Sequence, residues 1–488
     1  MSELRVDNIV SEDGSAAPIY SKGMIIGAGQ TLTCSGDFSV GGNVTFDSGA
    51  TVTGVVTFSQ TNLSSNLNLS GVVTATSFHG DGSNLTGIDA TALKDSGGNV
   101  KIQANESGAV VTGVLTSTNL TINGNSYPTA GPLSNRNLID NGAFQVAQRS
   151  NGPISSTGYV TVDRFFLGFG GVTCQQSRET LSSGDPFNEG FRHYYRMQNT
   201  STSTSTTAYA QFNHRIEAAN VATSGWNYVS SSSFLTSSFW ARSSVAGTYF
   251  VQYRATDAGS YYFNRSFTLA ANTWTRVSHT IPGNSSVVVN NDNGTGLEVV
   301  FVSHYGPGYQ GANGTDGSWF TLTDNDYFPS SSYSQDWANT TSATFDVTGI
   351  QLEVGEVATP FEHRSYGDEL RRCKRYYERV YINDNGNTEG VFGHSQMTST
   401  TQSNLYRRFE VEKRTNASFS LVLASGTLYQ RDSSGNSVVT TQSITVTHVS
   451  SKHAWIRFTG SNFTAGGSGQ IRVDNTTDNS YYQIDADL

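Results

Sequence analysis

Short β-branched phrases broken by glycine dominate the first quarter of the chain. The phrase "VTGVVT" (Val52–Thr57) returns as "LSGVVT" (Leu69–Thr74) and as "VTGVLT" (Val111–Thr116). Around the first copy, "FSVGGNVTFDSGATVTGVVTF" (Phe38–Phe58) alternates β-branched with small residues, which reads as short strands separated by turns. Asp81-Gly82 adds a tight-turn signal. The copies recur at irregular intervals, so no regular solenoid is predicted. One chain supplies too little apolar bulk here to offset its own ordering. Strands of this kind can bury a face by pairing with copies of themselves under rotational symmetry. Residues 31–127 are therefore read as an elongated, intertwined β shaft of identical chains, three by expectation. A flexible Ser/Thr/Gly linker is the alternative, and the density of Val, Ile and Phe argues against it.

Two prolines without periodicity in "NSYPTAGPLSN" mark a linker over 128–136. Beyond it, over 137–362, the alternation is that of a globular β-domain. "TYFVQYR" (Thr248–Arg254) puts Tyr249, Val251 and Tyr253 on one face, and "SSVVVNNDNGTGLEVVFV" (Ser285–Val302) predicts two strands about a turn. Several such strands without helical periodicity indicate a two-sheet sandwich. Phe239, Trp240 and Trp274 sit in strand patterns as core residues.

One segment is helical in period. "SYGDELRRCKRYYERV" (Ser365–Val380) places Leu370, Cys373, Tyr377 and Val380 on one stripe, with Ser365 and Asp368 as a capping box. It is read as a short connecting helix, 363–381. Its stripe must bury against either the helix's symmetry mates or its own sandwich. A connector between stacked domains favours the axis, which makes those four residues candidate trimer contacts. Strands resume over 382–488, with turn signals at "NDNGN" (Asn383–Asn387) and "DSSGN" (Asp432–Asn436), and form a second β-sandwich, the tip. Residues 1–30 are too poor in apolar residues for a domain of their own.

Composition narrows the function classes. The chain has 488 residues, 50 Gly, 9 Pro, 11% aromatic and 14% charged residues, and a formal charge of −10. That balance supplies no basic stripe for phosphates, so no nucleic-acid partner is expected. Cys34, Cys174 and Cys373 are few and far apart, so neither a disulfide framework nor a metal site is expected. The start lacks the apolar run of a signal peptide, and no window is long and apolar enough to span a membrane, so synthesis in the cytoplasm without membrane insertion is expected.

Candidate chemistry points to binding. "GPGYQG" (Gly306–Gly311) matches a phosphate-loop spacing, but it contains Pro307 and no helix follows. No H-E-x-x-H, G-x-S-x-G or paired-cysteine motif occurs, and nothing singles out two carboxylates as a glycosidase pair. The chain is read as a non-enzyme without a cofactor. In "HAWIRFTG" (His453–Gly460), Ile456 and Phe458 share one strand face and Trp455 and Arg457 the other. With the first face in the core, the second holds a ring and a guanidinium suited to stacking on a sugar and binding acidic groups. Tyr406 and Tyr429 join them as candidate receptor contacts; packing of Trp455 between subunits is the alternative.

Three stretches carry a resemblance. "NLIDNGAFQVAQRS" (Asn137–Ser150), "GIQLEVGEVATPFEHRSYGDELRRCKRYYERV" (Gly349–Val380) and "RRFEVEKRTNASFSLV" (Arg407–Val422) resemble segments of bacteriophage tail fibres, the first two bracketing a jelly-roll domain. "SELRVDNIVSEDGS" and "SGVVTATSFHGDGSNLTGI" are similar to structural proteins of cyanophages. The resemblance implies a mainly β, homotrimeric, virion-attached fibre. Residues 1–30 would meet tail adaptor, nozzle or baseplate proteins, and the distal β-domains would bind a host glycan such as lipopolysaccharide. A glycan-cleaving tailspike and a structural spacer are the alternatives. Jelly rolls of this kind are similar to carbohydrate-binding modules, some of which hold calcium, so the resemblance offers Asp140 and Asp346 as calcium candidates.

Overall fold

The computed structural model describes residues 135–330, 336–382, 389–423, 427–432, 437–440, 443–461, 463–474 and 480–488, and before them 74, 92–94, 99–105, 108–112, 120–122 and 125–127. Residues 1–30, Cys34, Asp81-Gly82, most of the shaft repeats, and the turns at Asn383–Asn387 and (beyond Asp432) Asp432–Asn436 lie outside the described residues. The chain divides into two compact units, 1–109 and 110–488. In the first, Ala92–Lys94 pairs antiparallel with Val100–Asn105. The second opens with a hairpin of Leu120–Ile122 and Asn125–Tyr127.

From Phe165 the second unit is an antiparallel sandwich. Its strands are β1 (Phe165–Gly170), β2 (Cys174–Thr180), β3 (His193–Asn199), β4 (Tyr209–Glu217), β5 (Phe234–Ser243), β6 (Gly247–Ala255), β7 (Tyr261–Leu269), β8 (Thr275–Pro282), β9 (Thr295–Tyr305), β10 (Trp319–Thr321) and β11 (Thr344–Val354). They form a five-stranded sheet, β8-β5-β11-β3-β2, and a six-stranded sheet, β10-β7-β6-β9-β4-β1. Between the sheets lies a ring-rich core, in which Phe212 stacks on Phe301 at 4.9 Å and Phe239 meets Phe301 edge-on at 5.0 Å. Phe239 and Trp240 are buried as expected, and Trp274 packs edge-on against Tyr194 at 5.5 Å. Strand β9 is apolar on both faces for a reason. Val299 and Phe301 face the core, while Val300 and Val302 pack under Phe328 from the loop that crosses the outside of the sheet.

The predicted hairpin over Ser285–Val302 does not form. Its second half is β9, but Val287–Asn290 is irregular, and β9 pairs instead with β6 and β4. Val287 and Val289 are nonetheless buried, which explains the alternation without a strand.

The segments that bracket the sandwich in sequence meet in space. Strand β11 carries a bulge at Gly349 (φ +64°), where the register with β5 slips. The freed Ile350 donates its N–H to the Gly142 carbonyl at 3.0 Å and accepts from the Asn137 side chain at 3.1 Å. A Cβ on Gly142 would lie 2.1 Å from the Ile350 oxygen, so only glycine fits there.

The predicted helix is shorter than its stripe. Helix α1 spans Tyr366–Lys374, capped by Ser365, whose hydroxyl accepts the Asp368 N–H at 3.2 Å and donates to the Asp368 carboxylate at 2.6 Å. The chain then turns, and Tyr377 and Val380 belong to strand β12 (Tyr377–Tyr381), not to a helix face. Cys373 and Tyr377 are buried within the single chain, and Leu370 is half-buried. The helix thus packs on its own sandwich, and these four residues do not form one helical stripe.

Strand β12 opens the tip. The later strands are β13 (Glu389–Met397), β14 (Gln402–Arg408), β15 (Ser418–Val422), β16 (Thr427–Asp432), β17 (Ser437–Thr440), β18 (Ser443–Val449), β19 (His453–Thr459), β20 (Ser468–Asp474) and β21 (Tyr481–Asp485). A three-stranded sheet, β12-β21-β15, faces a seven-stranded one, β17-β16-β20-β13-β14-β19-β18. Phe392, Ile456, Phe458, Ile471 and Tyr482 fill the space between them.

Sandwich and tip are tied by a dense polar joint. The buried Arg164 guanidinium lies 3.3 Å from the Tyr376 ring centre, and Arg149 lies 3.4 Å from that of Tyr377. Arg375 grips Glu217 bidentately at 2.6 and 2.8 Å. The end of the described chain folds back onto the sandwich. Arg149 pairs with Asp485 (3.2 Å) and Asp487, and the Leu488 carbonyl accepts from Tyr159 (3.0 Å) and Arg215 (2.5 Å).

Candidate functional site

Outward side chains of the seven-stranded tip sheet form a polar-aromatic platform. Strand β19 sets the alternation: Ile456 and Phe458 are fully buried, while Trp455 is 48% exposed. Antiparallel register then fixes the neighbours, because residues directly opposite on adjacent strands share a face. Trp455 stands opposite Tyr406 of β14 on one side and opposite His448 of β18 on the other. Arg457 stands opposite Asn404 and Thr445.

The rings are ordered by each other rather than by the core. Tyr406, 56% exposed, tilts against His453 with ring centres 4.9 Å apart. Trp455 meets the edge of His448 at 6.5 Å. Arg457 donates through Nε to the Asn404 side-chain oxygen at 3.3 Å, which holds the guanidinium flat on the sheet. Such a surface offers two large ring faces for the C–H face of a sugar, with guanidinium, amide and imidazole groups for its polar edge.

Of the four sequence candidates, the structure brings Trp455, Tyr406 and Arg457 together. Tyr429 lies apart: it is on β16, with β20 and β13 between it and β14, roughly 14 Å away at ordinary strand spacing. Asn404, His448 and His453 complete the platform and were not singled out from sequence. Only the register of β14, β19 and β18 reveals them.

The two calcium candidates are engaged by arginines. Asp346 accepts from both Arg196 (2.8 and 2.9 Å) and Arg242 (2.7 and 3.0 Å), and is buried. Asp140 lies 3.6 Å from both Arg164 and Arg372. Asp346 is already matched by two guanidinium forks and has little left for an ion, whereas Asp140 only stands at ion-pair distance from its two arginines. Among the described residues no group of three His, Cys, Asp or Glu side chains is placed to hold a metal. Cys174 and Cys373 are both free and buried, and burial pushes the Cys174 thiol up to about 12. Gly306–Gly311 runs through a short 3-10 turn, Pro307–Tyr309, and a two-residue strand rather than into a helix N-terminus.

No family model matches the sequence, and no curated protein does. Among solved structures, 45% of this chain is similar to the enzymatically active domain of tailspike protein 4 of bacteriophage CBA120, at 10% identity and a TM-score of 0.26; the similarity spans 21% of that chain. A xylan-binding domain from Paenibacillus barcinonensis is similar over 47% of this chain and 98% of its own, at 10% identity and a TM-score of 0.23. A family 11 carbohydrate-binding module from Clostridium thermocellum, solved with a mixed-linked tetrasaccharide, covers 44% of this chain and 99% of its own, at 13% identity and a TM-score of 0.20. Function is therefore read from this chain's own residues.

Proposed function

We propose that this protein is the receptor-binding fibre of a phage tail, holding the virion through residues 1–30 and gripping a host surface glycan through the Tyr406–Trp455 platform. The observation that carries the reading is this pair of large rings, half exposed and cross-strand neighbours, beside an arginine on the outward face of the tip sheet. The resemblance of 137–150, 349–380 and 407–422 to tail-fibre segments supports the placement in a virion, and the shaft phrases support a homotrimer. Leu93 and Val110 lie uncovered within one chain, as a shaft completed by its copies requires. The chain binds without cleaving. Three platforms on one trimer would multiply a weak single-site affinity.

Surface plasmon resonance on immobilised lipopolysaccharide from sensitive cells tests the platform. Trp455→Ala with Tyr406→Ala should weaken binding at least tenfold, about 1.4 kcal/mol or more, while the melting temperature stays within a degree or two. Equal binding by wild type and variant would remove the platform from recognition. Release of reducing ends from the same glycan would favour the depolymerase reading. Sedimentation of the full chain should give a trimer; a monomer at micromolar concentration would refute the intertwined shaft.

A further inference from the structure

A second surface, on the sandwich, carries two arginines that no carboxylate pairs with directly among the described residues, although Asp163 lies near enough to act on Arg178 at longer range. Most arginines of the sandwich and its joint are matched with carboxylates. Arg196 and Arg242 share Asp346, Arg215 and Arg254 share Glu298, Arg364 sits between Glu362 and Glu369, and Arg375 holds Glu217. Arg178 and Arg192 are not so matched, and neither are Arg265, Arg379 and Arg414, but of these only the first two share a cavity. Neither has a carboxylate within ion-pair distance among the described residues, and both line a cavity of about 550 Å³.

The cavity lies where the end of β2 and the start of β3 meet the 143–147 segment and the residues leading into α1. It is lined by Ala143, Gln145 and Ala147, by Phe191 and His193, and by His363 and Tyr366, with no acid among them. Arg178 spends one donor, Nη1, on the Gln145 carbonyl at 2.7 Å. Arg192 spends Nη1 on the Phe187 and Phe191 carbonyls at 3.1 and 2.8 Å, and its guanidinium lies 4.0 Å from the Phe187 ring centre. Each keeps Nε and Nη2 without a hydrogen-bond partner among the described residues. Burial lowers the pKa of Arg178, whereas bonding to carboxylates raises those of Arg196 and Arg375. In a chain of net charge −10, two unmatched guanidiniums on one cavity are the exception.

We propose that this cavity binds the acidic group of a small saccharide, a carboxylate or a phosphate, through Arg178 and Arg192. The planar forks suit either oxyanion bidentately. Gln145 and the two imidazoles supply hydroxyl partners, and the half-exposed Tyr366 ring forms one wall. The size falls within the ~300–1,000 Å³ of small-molecule pockets. This site is separate from the tip platform and stands or falls without it.

Isothermal titration of the full chain tests it with three probes: trigalacturonate for the carboxylate, glucose 6-phosphate for the phosphate, and maltotriose as a neutral control. At least one acidic probe should bind, maltotriose should not compete, and 0.5 M salt should weaken the binding. Arg178→Gln with Arg192→Gln should reduce affinity at least tenfold. Gln145→Glu, which places a carboxylate among the arginines without changing side-chain size, should do the same in a chain that melts like wild type. Trp455→Ala should leave this binding intact, which separates it from the platform. The site is refuted if neither acidic probe binds, if maltotriose binds as well, or if Gln145→Glu binds the acidic probe like wild type.

Discussion

Acidification from pH 7 to pH 4 is expected to strip the sandwich of several kcal/mol of stability, through histidines that stay neutral when folded. Burial holds His279 and His304 down to about 4, and holds His214 well below its ordinary value with Arg164 adding to the effect. The geometry agrees. His214 is fully buried, takes the Asp140 N–H on Nε2 at 3.2 Å and lies 5.2 Å from the Phe165 ring, and His279 sits against Phe239 and Phe267, each 6.1 Å away. A base whose folded pKa is depressed leaves stability intact above the unfolded pKa of about 6.5 and loses it as pH falls towards the folded value. At roughly 1.4 kcal/mol per unit, His279 and His304 each remove about 3 kcal/mol by pH 4. Asp487 acts in the opposite sense. Burial raises it to about 6, so it adds about 2 kcal/mol as pH falls from 6 to 4, and that gain sits at the joint. The two histidines outweigh this one aspartate; His214 adds to the loss, while Asp163 and Glu369, which burial also raises, offset part of it. Urea denaturation at pH 7, 5.5 and 4 reads it directly. His279→Leu should flatten the profile by about half of the two-histidine loss. A wild-type stability that stays level or rises between pH 6.5 and 4 would overturn the assignment.

Lys413→Ala should be the most damaging single change in the tip, costing about 3–5 kcal/mol. Lys413 is buried, as is Glu378, and its ammonium lies 2.6 Å from that carboxylate. The same ammonium donates to the Lys374 carbonyl at the end of α1, where a cation is also favoured by the helix dipole. Truncating the lysine therefore leaves a carboxylate in the interior without a counter-ion and a helix end without its donor. Replacing both partners with apolar residues, Lys413→Met with Glu378→Leu, should restore much of the loss, because a buried pair returns little beyond its own desolvation. Trp455, the only tryptophan after α1, reports tip unfolding by fluorescence. A loss under about 1 kcal/mol for Lys413→Ala, or a double variant as weak as the single, would show that the pair is not buried as described.

How much of this was legible in the sequence depended on whether a pattern reports burial or pairing. The faces of β19 were readable because Ile456 and Phe458 alternate with Trp455 and Arg457, and a period of two survives into the folded strand. Val287 and Val289 alternate equally well and are buried equally well, yet no strand forms, because β6 and β4 already flank β9. The helix stripe misled for a related reason. Tyr377 is buried both at helical spacing from Cys373 and as the first residue of a strand. What decides between them is β21, about a hundred residues further on in sequence. Distance in sequence hid the rest: the platform is assembled by the register of three strands, and the basic cavity by two strands, the 143–147 and 190–192 segments and the approach to α1.

The folding back of residues 485–488 has a mechanical consequence. Sandwich and tip are joined covalently through the single stretch between β11 and β12, but that stretch does not carry tension alone. A pull applied at Trp455 reaches the sandwich also through Arg149 with Asp487, Arg375 with Glu217 and Tyr159 with Leu488, arranged side by side across the joint. Bonds arranged in parallel share a force and must fail together, whereas bonds in series fail one after another. Bending at the connector would have to break these contacts as well as flex the covalent stretch, so the joint resists bending more than the connector alone would.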